Sequence, residues 1–287
     1  NYDLVKMIIE KVPEQCRRQD IKNTTPLFYA AQTGHAEIVR LILDTTAVDI
    51  NLPTVDGLIP LGQAAAFGHC EVIKLLLQYP SLNVNAKGNE GQTALHLALE
   101  QSHEECAALL LEHPLIDVNA QSEEDDNWTP LMLAVHNELN DIVKMIISNK
   151  SADINIQESD GNCALMLSIL NKKEDNMRLL LDDPHIDVNL IDAEGKTTLM
   201  YAMRSSFTDE LLLKLLDMQT LDINLQADDG NTVLMEACEH GKTTIIEKLM
   251  KDTPAKLNVV NKEGKSALMI ACENGQIDAV EALLHHK

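Results

Sequence analysis

A leucine returns about every thirty-four residues, and that period constrains this chain more than any other feature. The column runs Leu27, Leu61, Leu95, Leu131, Leu165, Leu199, Leu234 and Leu268. Two places before each lies a position usually held by threonine: Thr25, Ile59, Thr93, Thr129, Cys163, Thr197, Thr232 and Ser266. Three places after each leucine comes a small residue, Ala30, Ala64, Ala98, Ala134, Ser168, Ala202, Ala237 and Ala271. A small side chain there lets two helices approach closely. A period of this length means a repeat array, in which each module buries its apolar faces against its neighbours.

Residues 25 to 43 show what one period encodes. Thr25 can cap a helix, because its hydroxyl accepts from an unpaired backbone N–H. Pro26 sits at the first helical position, where its missing N–H costs nothing. Gly34 can end that helix in a left-handed conformation. Ile38, Val39, Leu41 and Ile42 then give a second helix one apolar face. Asparagines recur six residues before the turn glycines, as in Asn85 before Gly91 and Asn155 before Gly161.

The strings Thr25-Pro26-Leu27 and Thr93-Ala94-Leu95-His96-Leu97-Ala98 resemble the ankyrin repeat family, as do the Gly34-His35 and Gly68-His69 pairs and the run Asp117-Val118-Asn119-Ala120. The resemblance covers nearly all 287 residues, in eight copies preceded by a half repeat at 1–12. It implies an all-α solenoid of stacked helix-turn-helix repeats with β-hairpin-like fingers. Residues 1–287 read as a single array, with repeats starting near 20, 54, 88, 124, 158, 192, 227 and 261. The chain opens in mid-repeat, so it is expected to be a piece of a longer protein.

A formal net charge of −22 argues against nucleic acid, which needs basic surface to neutralise phosphates. It argues against anionic membrane for the same reason. It admits a basic partner and would speed that encounter. The six cysteines, at 16, 70, 106, 163, 238 and 272, are scattered. Cys238 and Cys272 share a column and should lie one layer apart, too far for a bridge. Scattered thiols, with no signal-peptide pattern and no apolar run of membrane length, point to a reducing intracellular compartment, the cytoplasm. Host cytoplasm fits if the chain is a microbial effector.

Candidate contact residues lie on the fingers and at the inner helix ends. The residue before the turn is acidic in seven of eight repeats: Asp56, Glu90, Asp126, Asp160, Glu194, Asp229 and Glu263, with Lys22 the exception. This pattern reads either as a carboxylate edge for a basic peptide or as plain turn chemistry. The fourth finger carries two extra residues within 122–128, bringing Glu123, Glu124, Asp125 and Asp126 beside Trp128, the only tryptophan. Tryptophan is favoured at binding hot spots. Phe67, His136, Tyr201, Arg204, Glu236 and His240 fall at or near the concave columns and are weaker candidates. The methionines at 132, 166, 200, 235 and 269 read as packing.

Catalytic chemistry finds little footing. His35, His69 and His103 are 34 residues apart because the repeat is, and there is no HExxH, phosphate loop or nucleophile elbow. No catalytic residue, metal or cofactor is expected. The resemblance implies that Asn85 and Asn119, each followed by alanine, are possible substrates of an asparaginyl hydroxylase. The expected function is a monomeric scaffold binding a protein or peptide through the concave face and fingers of repeats two to six. The alternative is a regulatory or targeting arm of a larger enzyme, channel or host-directed microbial effector.

Overall fold

The computed structural model describes residues 2–123, 126–205, 207–252 and 255–285. They fall into two bodies, Asn1–Asp153 and Ile154–Lys287. The N-terminal body holds α1 (Tyr2–Lys11), a 3₁₀ turn (Pro13–Arg17), α2 (Pro26–Gln32), α3 (Ala36–Thr45), α4 (Pro60–Ala66), α5 (Cys70–Leu76), α6 (Ala94–Glu100), α7 (Glu104–Leu111), α8 (Pro130–His136) and α9 (Asn140–Ile147). The C-terminal body holds α10 (Ala164–Leu170), α11 (Glu174–Leu181), α12 (Thr198–Arg204), α13 (Asp209–Leu216), α14 (Val233–Glu239), α15 (Thr243–Asp252), α16 (Ala267–Glu273) and α17 (Ile277–His285). The fold is an all-α repeat solenoid; among the described residues, β structure is limited to isolated antiparallel bridges in the fingers, such as Gln157 with Cys163.

Within each body the even-numbered helices form one layer and the odd-numbered helices another. In the first, α4 packs between α2 and α6, and α5 between α3 and α7. In the second, α14 packs between α12 and α16, and α15 between α13 and α17. The leucine column supplies the core: seven of its members are buried, and Leu268 is half-buried. Each fully buried leucine contributes about 1.5–3 kcal/mol. All eight small residues after them are buried too. Met132, Met166, Met200 and Met235 pack inside, whereas Met269 is 57% exposed.

The caps follow from the side chains. Thr25 Oγ1 accepts from Phe28 N–H at 3.1 Å, and Thr129 Oγ1 from Met132 N–H at 3.3 Å. Ile59 and Cys163 make no side-chain cap bond. The glycine after α2 is needed twice over. Gly34 has φ +74°, and a Cβ there would come 2.6 Å from His69 Nδ1 of the next repeat. The His69 ring lies against this turn, with Nε2 2.9 Å from the Gln32 carbonyl. Ser102, Glu138 and Lys172 hold the same left-handed turn without being glycine, at φ 55°, 58° and 57°. That costs about 1–2 kcal/mol each.

The recurrent asparagines join consecutive repeats. Asn51 Nδ2 donates to the Ser81 carbonyl at 2.6 Å, and its Oδ1 accepts from Asn83 N–H at 2.8 Å. Asn85 makes the same pair of bonds with Leu115 and Asp117, and Asn119 with Ser151 and Asp153. In the C-terminal body Asn155 repeats it on His185 and Asp187, and Asn189 on Thr220 and Asp222.

One expectation is corrected. Cys70 and Cys106 are bonded as a disulfide, with Cα atoms 5.1 Å apart. The one-layer spacing argument holds for cysteines in one column. These two are offset: Cys70 opens α5 and Cys106 lies third in α7, and the two helices pack side by side. The scatter of six thiols therefore gives no support to a reducing compartment. Cys16, Cys163, Cys238 and Cys272 are free, and burial raises the Cys238 thiol to about 12. Among the described residues, no helix is long and apolar enough to cross a membrane.

Candidate functional site

The fingers are held by their backbones, which leaves their side chains outward. The carbonyls of Asp56, Glu90, Asp160, Glu194 and Asp229 accept from the next finger. Asn89 N–H donates to Asp56 O at 3.0 Å, and Glu123 N–H to Glu90 O at 3.0 Å. In the C-terminal body Ala193 N–H donates to Asp160 O at 2.7 Å and Asp228 N–H to Glu194 O at 2.8 Å. Asp56, Glu90, Glu123 and Asp126 are exposed in the first body and Asp160 and Glu194 in the second. At Asp56, Glu90, Asp160 and Glu194 the main chain builds the turn stack, and the carboxylate faces solvent. Glu124 and Asp125 lie outside the described residues.

Trp128 is half-buried rather than free in solvent. Its ring meets exposed His136, at the end of α8, edge-on, with centroids 5.2 Å apart and planes at 69°. Its carbonyl lies 3.2 Å from Nε2 of buried His96. His96 also braces the start of α6, its Nδ1 2.8 Å from Thr93 Oγ1. Trp128 is therefore held at its backbone from beneath, with its ring against His136. Phe67, 53% exposed at the end of α4, stacks nearly parallel to His69, 6.3 Å between centroids. No contact brings Phe67 and Trp128 together.

The C-terminal body gathers a charged group at the ends of α12 and α14. The Tyr201 hydroxyl donates to Asp192, and Lys196 Nζ lies 5.9 Å from the Tyr201 ring centre. Burial, then Asp192, push the phenol well above its ordinary value. Arg204 donates from Nε and Nη2 to both oxygens of Glu236, at 2.9 and 3.0 Å. Glu236 is fully buried, while the arginine side chain is 41% exposed. The Glu236 bond holds the guanidinium even more firmly protonated.

This geometry of repeated fingers and paired helices decides the family. The ankyrin-repeat family model matches residues 1–88, 81–158, 139–226 and 206–287. The chain belongs to the ankyrin repeat family. No match was found among curated proteins.

Within these ankyrin repeats, sequence reading missed Asp192 and Lys196. A signal was present: Asp192 precedes Tyr201 by nine residues, the spacing of Asp20 and Tyr29, whose hydroxyl bonds Asp20 Oδ2 at 2.9 Å. Glu236, Glu239 and His240 bring ligand-type atoms within 4.8 Å of one another. Arg204 already occupies both Glu236 oxygens, so this ankyrin cluster is a closed ion pair and a poor cation seat.

Proposed function

We propose that this ankyrin chain is a binding scaffold whose fingers and inner helix ends hold a protein or peptide with a basic segment, and that it works as a monomer. Ankyrin repeats are generally protein-interaction modules and generally non-catalytic. The observation that carries the reading is the finger stack. Backbone bonds fix the fingers, so Asp56, Glu90 and Glu123 point outward from a pre-ordered surface. A pre-ordered surface loses little entropy on binding. The Trp128–His136 pair supplies an amphipathic anchor beside those carboxylates. In the second body the proposal assigns Asp160, Tyr201 and Arg204 to the contact surface.

The test is a cross-linking capture from cells with wild-type chain, Trp128→Ala, and a chain neutralised at 123–126. A captured protein should be retained by the wild type and lost from both variants. Equal capture by all three overturns the site. We also propose Asn85 and Asn119 as hydroxylation positions. Their amides are engaged on both sides, so the modifying enzyme would have to open the loop. Peptides from cell-derived protein lacking an added oxygen at both positions would remove this assignment.

A further inference from the structure

Two glycines in the N-terminal body are not required by backbone geometry. Of the twelve, ten sit at positive φ; Gly62 and Gly88 do not. Both border the same side chain, Leu58. A Cβ on Gly88 would lie 3.1 Å from Leu58 Cδ2, and one on Gly62 would lie 3.7 Å from it.

Each glycine also gives up something its column supplies elsewhere. In the column of Gly88 a polar side chain locks the finger in several repeats, while Ala227, like Gly88, has none to offer. Asp20 Oδ1 accepts from Lys22 and Thr24 N–H at 2.8 and 2.9 Å. Asp192 Oδ1 accepts from Glu194 and Lys196 N–H at 2.9 and 2.8 Å. Glu158 and Asn261 do the same in their fingers. Gly88 forgoes that lock. In the column of Gly62 other repeats place large buried side chains, including Phe28, His96, Met132 and Met166.

Beside Gly88 lies a cavity of about 370 Å³. Leu58 and Leu97 form its apolar lining, Gly88 its open wall, and Asp56 and Glu90 its acidic side. The carbonyls of both acids are tied to the neighbouring finger, which fixes where the carboxylates start. Among the described residues, neither carboxylate forms an ion pair or a side-chain hydrogen bond.

We infer that this cavity is the socket for a long basic side chain, lysine or arginine, presented by a peptide partner. The methylene stem lies on Leu58 and Leu97 and the cation meets Asp56 and Glu90. Long basic side chains bury apolar stems while keeping the charged head at a polar edge. This inference rests on the scaffold reading above and names the chemistry of its partner.

The experiment is a titration of isotope-labelled chain with a capped tetralysine peptide, followed at the backbone amides of Gly88, Asn89 and Gly91. A capped tetranorleucine segment flanked by serines is the uncharged control. The lysine peptide should shift these amides in a saturable way, and the norleucine peptide should not. Because the whole chain is acidic, any polylysine is drawn to it. Gly88→Val separates the socket from that attraction, since its side chain would crowd Leu58 in the apolar lining and leaves every charge in place. It should weaken binding about tenfold, or about 1.4 kcal/mol, as should Asp56→Asn with Glu90→Gln. Equal binding by wild type and Gly88→Val, or shifts spread over the surface with none at Gly88, overturns the socket. Loss of the captured partner in Trp128→Ala without any lysine response would sink the socket and leave the scaffold. A saturable lysine response at Gly88 with no partner captured upholds the socket and counts against the wider scaffold surface only.

Discussion

Asp117 N–H donates to Asn85 Oδ1 at 2.8 Å, while Asn85 Nδ2 donates to the Leu115 carbonyl at 2.7 Å. One side chain thus satisfies two backbone groups of the next repeat. Each bond is near the surface and contributes about 1 kcal/mol. Asn85→Ala should destabilise the chain by about 1–2 kcal/mol in urea unfolding. Asn85→Asp should cost at least as much, because a carboxylate oxygen would then face the Leu115 carbonyl. A neutral result for both would show the clasp to be decorative.

Removing Arg204 should hurt more than removing the pair. Arg204→Ala leaves Glu236 buried with its charge uncompensated, a loss of about 3 kcal/mol. Adding Glu236→Gln to that variant should recover a large part of it. Thermal melts of the four chains in the double-mutant cycle check this, and equal stability of the single and double variants would contradict it.

Tyr201 makes the C-terminal body alkali-sensitive. Its folded-state phenol is raised by burial and by Asp192, so the stabilisation is complete below the ordinary phenol value of 10 and is lost as pH rises beyond it. Tyr29 and Tyr79 are raised as well, which is why the comparison must be with Tyr201→Phe. That variant should lose stability less steeply above pH 10 than the wild type. Parallel alkaline limbs would refute the assignment.

The Cys70–Cys106 bond closes a loop across 36 residues. Chain-entropy arguments give about 3–4 kcal/mol for a loop of this size. Dithiothreitol should lower the urea midpoint of the wild type and leave that of Cys70→Ser unchanged. Peptide mapping without reductant should recover the two cysteines in one cross-linked fragment.

The sequence made the architecture plain because the repeat is written in side chains with separate jobs. Leu61 and Ala64 are core, Thr25 and Thr129 are caps, and Gly34 is a turn. Each job is local, so each can be read without coordinates. The role of Gly34 was only half visible, since the His69 ring that covers it comes from the next repeat. Contacts across repeats at unequal offsets were hidden for the same reason. Cys106 meets Cys70 because it stands two places further along its own helix, and Arg204 meets Glu236 from a neighbouring column. The Gly88 cavity was illegible in another way. Its lining comes from two fingers, Asp56 and Leu58 from one and Gly88 and Glu90 from the next, which sequence order keeps apart.

The covalent tie between α5 and α7 also bears on how the chain responds to force. Repeats that hold by short-range contact peel away one at a time when pulled. Here tension would travel through the sulfur bridge and bypass the backbone between Cys70 and Cys106. The extension recovered on full stretching should fall short by that hidden length until a reductant is added. The third finger, with Gly88 and Glu90, lies inside the shielded segment.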